Sequence, residues 1–313
     1  MIPALVLTAG LATRLRPLSL VRAKAALPVN GEVLARRVLR HVKAAGITDA
    51  VLNLHYLPHT LTRAIGSGED VGVRVRYSWE GREVLGRGGG PRHALGLLGA
   101  PRFVILNGDT LSDVDLRAVL AQHEQSGARV TMAAVPNREP EKYSGLAVSA
   151  DGAVTGFVPR GHGPSFHYYG VQVVEAEVFA GLPDNTPAET IPDLYGALIA
   201  RQPGSVRAFV SDAESFDIGT PADYLSTSLT FADREGARLI GARGHIARDA
   251  RLERSILWDD VEVGAGALLR ECIVADGVQV PADTSWIGVT IRKADGQLGA
   301  GEKRIGDLAV ANL

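Results

Sequence analysis

The sequence is poor in cysteine and in long apolar runs. Its one cysteine, Cys272, excludes an intrachain disulfide and cannot build a zinc site alone. No apolar run approaches the ~18 residues that a membrane-spanning helix needs. The first twelve residues also lack the positive region of a signal peptide. We therefore expect a cytoplasmic protein that neither spans nor binds a membrane.

An excess of either charge is also lacking, since the net charge is −2, which argues against a nucleic-acid binder. The charges are nevertheless uneven. Residues 1–93 contain 14 Lys and Arg against 6 Asp and Glu, whereas the rest of the chain contains 19 against 29. A basic N-terminal third favours an anionic small ligand such as a triphosphate, although the exposed face of one helix explains part of the excess.

Two hydrophobic patterns divide the chain. In the first part, short apolar strands at 4–8, 50–54, 73–77, 103–106 and 129–135 alternate with helices at 32–45, 91–98 and 113–125. This order predicts an α/β fold, a Rossmann-like and mostly parallel sheet flanked by helices. Ligands bind at the carboxyl ends of such strands. The loops after Thr8, Tyr77 and Leu106 are therefore the expected site.

The last part repeats every 17 residues, in the blocks 244–260, 261–277 and 278–294. Apolar residues coincide when the blocks are aligned, as Ile246, Val263 and Val280 do. Such repeats predict stacked β-coils around a narrow interior. The pattern resembles the hexapeptide repeats of left-handed parallel β-helices, with a β-meander as the alternative. We expect Cys272 to be structural.

The loop after the first strand is rich in small and basic residues, with LTAGLATRLRPLS at 7–19 and AKAALPV at 23–29. Small residues after a strand let backbone N–H groups approach phosphate oxygens. Arg14 and Lys24 would add the permanent positive charge that a triphosphate needs. With Gly10 alone present and no Gly-Lys-Ser/Thr following, the loop is neither a dinucleotide fingerprint nor a Walker loop.

This loop resembles the signature of sugar-1-phosphate nucleotidylyltransferases, Leu-Ala-Gly/Ala-Gly-x-Gly-Thr-Arg-Leu-x-Pro-Leu-Thr followed by Pro-Lys-x-Leu-x-Pro-Val. Two positions depart from it, since Ala12 replaces a glycine and Ala23 replaces a proline. A positive φ at Ala12 would strain the backbone. The resemblance implies catalytic roles for Arg14 and Lys24, and nucleotide contacts from Leu7, Ala9, Gly10, Ala12 and Thr13.

Three further segments match motifs of this family in the same order: EGREVLGRGGGP at 80–91, LNGD at 106–109 and FDIGTPADY at 216–224. They imply nucleotide contacts from Gly86, Gly88, Gly89, Asn107 and Gly108. They also imply that Asp109 and Asp217 bind Mg²⁺, which favours one or two carboxylates plus phosphate oxygens and water. Taken alone, a glycine-rich turn before a helix or a helix-capping aspartate would look the same.

The sugar side of the site is less well matched. The resemblance implies sugar contacts from Gly145, Gly170 and Glu189. The family's Glu-Lys-Pro is absent after Val158, where this chain has Pro159, Arg160 and Gly161. Arg160 is the candidate to replace the lysine that contacts the sugar phosphate.

The resemblance covers residues 1–235 and, more loosely, the coils. It implies a catalytic domain at 1–238, a left-handed β-helix at 239–294 and a tail at 295–313. The implied reaction joins an NTP and a sugar 1-phosphate to give an NDP-sugar and pyrophosphate, with Mg²⁺ as cofactor. The short β-coil appendage resembles that of mannose-1-phosphate guanylyltransferases, which implies mannose 1-phosphate and GTP as substrates. Uridylyl or thymidylyl transfer to glucose 1-phosphate or N-acetylmuramate 1-phosphate remains open.

Two other classes of protein compete with this interpretation. Ala12, Ala23, Arg87 and the missing Glu-Lys-Pro would suit a non-catalytic sugar-nucleotide-binding regulatory subunit, although such a protein need not keep both metal carboxylates. An acyltransferase working from the coils would want a catalytic histidine, and the coils contain only His245. Exposed coil ends further predict a two-fold homodimer. Removal of the coils should then alter assembly and stability before chemistry.

Overall fold

The structure is a computed structural model that describes residues 2–313 and contains two compact units. The first unit comprises the chain up to Gly10 and Ala35–Asp217, and the second comprises Leu11–Leu34 and Ile218–Leu313. The segment that carries Arg14 and Lys24 therefore belongs to the same unit as the C-terminal coils. The sequence-based division at residue 238 is continuous along the chain and stays a prediction.

Residues 2–217 contain both strands and helices. The strands are β1 (Ala4–Leu7), β2 (Pro28–Val29), β3 (Glu32–Val33), β4 (Asp49–Leu54), β5 (Arg74–Trp79), β6 (Arg102–Asn107), β7 (Thr110–Ser112), β8 (Val130–Pro136), β9 (Gly145–Val148), β10 (Val154–Val158), β11 (Phe166–Glu175), β12 (Val206–Val210) and β13 (Ser215–Asp217). The helices are α1 (Leu34–Ala44), α2 (Pro58–Ile65), α3 (Gly86–Leu98), α4 (Leu116–Ser126), α5 (Glu177–Ala180) and α6 (Tyr195–Arg201).

The central sheet has the strand order β10-β9-β11-β6-β1-β4-β5, and β8 pairs with β11 and β12. Strands β6, β1, β4 and β5 run parallel, whereas β11 is antiparallel to β6 and β8. The predicted Rossmann-like α/β fold is confirmed, with the parallel strands on one side of a mixed sheet. Because β4 and β6 lie on opposite sides of β1, the order in which strands are added to the sheet reverses at β1. Ligands of such sheets bind at this point.

The apolar runs of β1 and β6 fill the centre of this sheet. Leu5, Phe103 and Ile105 are fully buried in one cluster with residues of the antiparallel strands. Strands covered on both faces are expected to be apolar throughout rather than alternating. The core therefore fixes β1 and β6 side by side and places their carboxyl ends together.

Helix α3 differs from its prediction, since it begins at Gly86 rather than at Pro91, which lies inside it. The predicted glycine-rich turn is the first turn of the helix. The N–H groups of Gly88 and Gly89 donate to the carbonyl oxygen of Ala188, over 2.7 and 3.2 Å. A Cβ on Gly88 would lie 3.0 Å from that oxygen. The glycines thus allow the helix to start against the backbone of another segment.

The second unit contains α7 (Pro221–Glu235) and the 17-residue coils. Its remaining strands are β14 (His245–Ile246), β15 (Arg251–Glu253), β16 (Ile256–Leu257), β17 (Glu262–Val263), β18 (Leu268–Arg270), β19 (Ile273–Val274), β20 (Gln279–Val280), β21 (Ser285–Ile287), β22 (Val289–Lys293), β23 (Lys303–Ile305) and β24 (Leu308–Asn312).

Parallel pairing of the coil strands follows the predicted repeat. Ile246 pairs with Val263 and Val263 with Val280, each 17 residues further along the chain. The other two sheets of the coils keep the same register. The stacked-coil prediction is confirmed, and the alternative of a β-meander, whose neighbouring strands would be antiparallel, is wrong.

The tail belongs to the coil unit. Strand β24 pairs antiparallel with β22 and with β23, so the tail extends one coil sheet by two strands. Arg292 and Glu302, both almost fully buried, form an ion pair of 2.6 Å. Cys272 is buried among the coils, its N–H donates to Ser255 Oγ at 3.0 Å, and burial raises the pKa of its thiol. These contacts suit its expected structural role. None of the helices within residues 2–313 has the length and hydropathy to cross a membrane.

Candidate active site

The carboxyl ends of β1 and β6 bring three predicted nucleotide-binding residues together. Leu7 pairs with Asn107 in the parallel ladder, and the N–H of Gly108 donates to the carbonyl oxygen of Leu7 over 2.9 Å. A Cβ on Gly108 would lie 2.6 Å from Cγ2 of Thr8. A glycine is therefore required for the chain to turn so close to β1.

The two predicted metal ligands lie at the same end of a short antiparallel ladder. Strands β7 and β13 pair so that Asp217 is opposite Thr110, which Asp109 immediately precedes. Both carboxylates are half-buried, and Thr110 Oγ1 donates to Asp109 Oδ1 at 3.3 Å. Backbone pairing thus brings together residues more than one hundred positions apart in sequence.

The donor set at this end suits magnesium better than zinc. Across residues 2–313 no three or more His, Cys, Asp or Glu side chains are grouped so that they could hold a metal ion. Zinc sites are commonly built from three or four such ligands. Magnesium instead binds through one or two carboxylates and completes its shell with phosphate oxygens and water.

A buried polar chain supports the loops around β1, and the sequence analysis missed part of it. The Thr8 N–H donates to Asn53 Oδ1 at 2.6 Å, Asn53 Nδ2 donates to Glu80 Oε1 at 2.6 Å, and the Leu85 N–H donates to Glu80 Oε2 at 2.8 Å. Asn53 is 3% exposed and Glu80 7% exposed. These bonds tie the ends of β1 and β4 to the chain before α3. A polar residue inside the apolar strand β4 was the available signal.

The first turn of α3 lies beside a residue assigned to the sugar. Gly86 has φ +73, and a Cβ there would meet Glu189 Oε1 at 2.5 Å. Gly88 and Gly89 pack against Ala188, which precedes it. Glu189 thus lies against Gly86, while its neighbour Ala188 lies against the other two predicted nucleotide-binding glycines.

The remaining residues assigned to the sugar lie in different surroundings. Gly170, with φ +92, packs directly against the side chain of Asn107 and so joins the carboxyl end of β6. Gly145 packs against Ser165 instead. Arg160 lies on an exposed turn, where its carbonyl oxygen faces His162 Nδ1 at 2.7 Å. Of these residues, only Gly170 is placed beside a predicted nucleotide-binding residue by a described contact.

The basic candidates occupy tight turns of the second unit. Ala12 has φ 48 and ψ 46, the left-handed conformation for which the family uses glycine. Arg14 follows in the turn Thr13–Leu15, is exposed, and its guanidinium lies 3.3 Å from where a Cβ of Gly219 would be. Lys24 begins the turn Lys24–Ala26 and is half-buried. Gly10, which ends the first unit's part of this loop, is exposed.

The family models match both parts of the chain. Residues 3–234 match the nucleotidyl transferase family, and residues 236–298 match the GlmU-like C-terminal hexapeptide domain. The chain therefore belongs to the nucleotidyl transferase family, with a left-handed β-helix attached. Within that family it is a sugar-1-phosphate nucleotidyltransferase, as the signature loop predicted.

Several characterised proteins are similar to the chain. The mannose-1-phosphate guanylyltransferase of Mycobacterium tuberculosis is 28% identical over 294 residues, 90% of this chain and 82% of that protein. The N-acetylmuramate alpha-1-phosphate uridylyltransferase of Neisseria meningitidis is 32% identical over 199 residues, 62% of this chain and 84% of that protein. The crystal structure of HddC from Yersinia pseudotuberculosis shares the fold, with TM-score 0.64 and 24% identity, covering 74% of this chain and all of that one.

Proposed function

We propose that the protein transfers a guanylyl group from GTP to mannose 1-phosphate, giving GDP-mannose and pyrophosphate. The observation that carries this proposal is the extent of the similarity to the Mycobacterium tuberculosis protein. It spans 90% of this chain, and therefore both the sheet and the coils. The Neisseria meningitidis uridylyltransferase aligns with 62% of the chain.

Uridylyl transfer to N-acetylmuramate 1-phosphate is the second candidate. It is favoured by the higher identity, 32%, to the Neisseria meningitidis protein. Thymidylyl or uridylyl transfer to glucose 1-phosphate is the third possibility within the same chemistry. All three reactions require the same catalytic groups and differ in base and sugar recognition.

Enzymes of this family generally use divalent metal ions, and we propose Mg²⁺ for this chain. The two carboxylates that lie at the end of the β7–β13 ladder supply the oxygen ligands that this ion prefers. Asp109 and Asp217 would hold it. When bound, it supplies positive charge that offsets the charge of the α-phosphate.

The reaction needs no protein nucleophile. A phosphate oxygen of the sugar 1-phosphate attacks the α-phosphorus of the NTP, the bond to the β-phosphate oxygen breaks, and pyrophosphate leaves. Such a displacement depends on positioning and charge neutralisation. We assign Arg14 to the leaving pyrophosphate and Lys24 to the charge that develops in the transition state. The remaining predicted residues would bind base and sugar.

A matrix of GTP, UTP, dTTP and ATP against mannose, glucose and N-acetylmuramate 1-phosphates tests the proposal, with pyrophosphate release in Mg²⁺ as readout. GTP with mannose 1-phosphate should give the highest kcat/KM. Higher kcat/KM for UTP with N-acetylmuramate 1-phosphate would favour the second candidate. Activity with none of the pairs would overturn the proposed function.

We propose further that the protein is a cytoplasmic homodimer formed through the coil unit. Three isoleucines of this unit are about half exposed: Ile240 at 48%, Ile287 at 55% and Ile305 at 48%. Contiguous exposed apolar surface marks association sites, and these isoleucines are the candidates to contribute it. Light scattering of the full chain and of an Ile287→Lys variant tests this, and a monomeric wild-type protein would contradict it.

A further inference from the structure

One side chain of the signature segment, Arg22, is bonded to two coils at once. Its Nε donates to Asp276 Oδ2 at 2.7 Å and its Nη2 to Asp276 Oδ1 at 2.5 Å, which is the bidentate geometry that arginine favours. Its Nη2 also donates to Asp259 Oδ2 at 2.7 Å. The Arg22 side chain is only 16% exposed. This is a specific contact between the signature segment and the coils.

The two aspartates are equivalent positions of consecutive coils. They are 17 residues apart, and the third block has Lys293 at that position. Their carboxylates are themselves held, because the Asp259 N–H donates to Asp276 Oδ1 at 3.1 Å and the Ala242 N–H donates to Asp259 Oδ1 at 2.8 Å. The coils thus present a rigid pair of acceptors rather than two mobile surface carboxylates.

Two aromatic residues, Trp258 and Tyr224, connect Arg22 to the part of the segment that follows Lys24. The guanidinium of Arg22 lies 5.2 Å from the ring centroid of Trp258, which is fully buried. Trp258 Nε1 donates to the Tyr224 hydroxyl at 3.0 Å, and that hydroxyl donates to the carbonyl oxygen of Pro28 at 2.5 Å. The cluster therefore contacts the segment both before and after Lys24.

A second anchor follows at Asn30, which is buried. Its Nδ2 donates to the carbonyl oxygen of Gly236 at 3.1 Å, and its Oδ1 accepts from the Arg238 N–H at 2.7 Å. The turn Lys24–Ala26 lies between these anchors and is closed by backbone bonds from the Ala26 N–H to the Ala23 carbonyl at 2.8 Å and from the Leu27 N–H to the Lys24 carbonyl at 3.1 Å. The side chains at its two ends therefore connect this turn to the coils and to the residues that follow α7.

The replacement of the family's proline by Ala23 bears on the anchoring of this segment by Arg22. The family has a proline here, whose ring fixes φ near −65°. Ala23 has φ −55, so the backbone keeps the conformation that a proline would impose, without the ring. Without the ring, contacts of the segment hold this conformation, and the adjacent Arg22 makes three hydrogen bonds to the coils.

We propose that Arg22 is a positioning residue for Lys24, and that the coils contribute to catalysis by holding it through Asp259 and Asp276. This inference rests on the proposed role of Lys24 in nucleotidyl transfer. It differs from the expectation that the coils matter for assembly before chemistry. It makes the coils a support for the segment that carries both catalytic cations.

The test compares Arg22→Met and Arg22→Lys with a control, Arg243→Met. Arg243 forms a bidentate ion pair with Asp260 on the surface of the same coils, over 2.6 and 2.7 Å. We measure kcat and KM for pyrophosphate release, and hydrogen exchange of the full-length protein without substrates over residues 17–29 and 244–294.

Arg22→Met should lower kcat by ~10- to ~100-fold, with a smaller change in KM for the NTP, because a displaced catalytic group slows the chemical step. Exchange should quicken over 17–29 and not over 244–294. Arg22→Lys should recover part of the loss, the double substitution of Asp259 and Asp276 to Asn should reproduce it, and Arg243→Met should change neither readout.

Unchanged exchange over 17–29 in Arg22→Met would overturn the positioning role, whatever the activity. So would exchange that quickens throughout the coils, since Arg22 would then be a structural residue of the unit. Wild-type inactivity with every substrate pair would instead overturn the proposed function. The two failures are therefore distinguishable.

Discussion

The two units hold their candidate catalytic groups by different means. In the sheet unit, Asp109 and Asp217 lie at the end of paired strands, so backbone hydrogen bonds fix their positions. In the coil unit, Arg14 and Lys24 lie on short turns, and the Lys24 turn has side-chain anchors on both sides, Arg22 and Asn30. The carboxylates should therefore tolerate most neighbouring substitutions, whereas Lys24 should be sensitive to single side chains outside the site.

The largest effect is expected from the carboxylates themselves. Asp109→Ala and Asp217→Ala should each lower turnover by ~10²-fold or more, because the positive charge of the metal would no longer be placed at the reacting phosphate. Strand pairing does not use these side chains, so the fold should persist. Pyrophosphate release and circular dichroism measure the two effects.

Asp212→Asn is the matched control, since this exposed aspartate lies shortly before β13. It should retain wild-type turnover. A wild-type rate in either alanine variant with Mg²⁺ would contradict the metal assignment.

Substitutions of Lys24 and Arg14 should affect kcat and KM differently. Lys24→Ala should lower kcat by ~10²-fold with a smaller change in KM for the NTP, because its charge is assigned to the transition state. Arg14→Ala should weaken both. Arg16→Ala, which removes an exposed arginine from the same loop, should change neither by more than about twofold. A Lys24→Ala variant that changes only KM would show that the two roles are wrongly divided.

What the sequence could predict follows the same division. The 17-residue register and the first strands of the sheet depend on local periodicity. The register was predicted correctly and these strand ends to within two residues, since β5 continues to Trp79 beyond the predicted end at Tyr77. The start of α3 was not, because it depends on contacts of Gly88 and Gly89 with Ala188, about one hundred residues away. The Arg22 cluster was missed for the same reason: Asp259 and Asp276 stand at the same position of two consecutive repeats, but nothing local in sequence links them to Arg22.

Acid should distinguish the two units by their stability. His123 is fully buried, with Nδ1 2.8 Å from Thr131 Oγ1 and Nε2 3.2 Å from Glu175 Oε1. Burial lowers its pKa below 6.5. Burial also lowers the pKa values of His41 and His167, which lie in the sheet unit too. The only histidine of the coil unit is His245, which is exposed.

The unfolded chain therefore binds more protons than the folded one once the pH falls below about 6.5. The contribution of these histidines to the free energy of unfolding of the sheet unit is fully present above that pH. It decreases below that pH by at most about 1.4 kcal/mol per pH unit for each histidine. In the coil unit, Arg243 lowers the pKa of Asp260 below 3.8. The stabilisation from this ion pair therefore begins to be lost only near pH 4. Hydrogen exchange at pH 7.0, 6.0 and 5.0 should therefore show the sheet unit weakening first.

A His123→Gln variant should reduce this dependence, whereas His59→Gln, on the exposed side of α2, is the control and should keep the wild-type slope. Equal weakening of both units between pH 7.0 and 5.0 would contradict the assignment to buried histidines.

The smallest effect concerns the backbone at Ala12, where the two units meet in sequence. A left-handed conformation costs a residue with a Cβ about 1–2 kcal/mol, and glycine escapes that cost while losing about 0.5–1 kcal/mol of unfolded-state entropy. Ala12→Gly should therefore raise the free energy of unfolding by about 0.5 kcal/mol, measured by urea denaturation. Ala25→Gly makes the same chemical change in the turn Lys24–Ala26, where Ala25 is buried and not among the residues with positive φ. It should lower that free energy, so a shift of the same sign in both variants would show that Ala12 carries no strain.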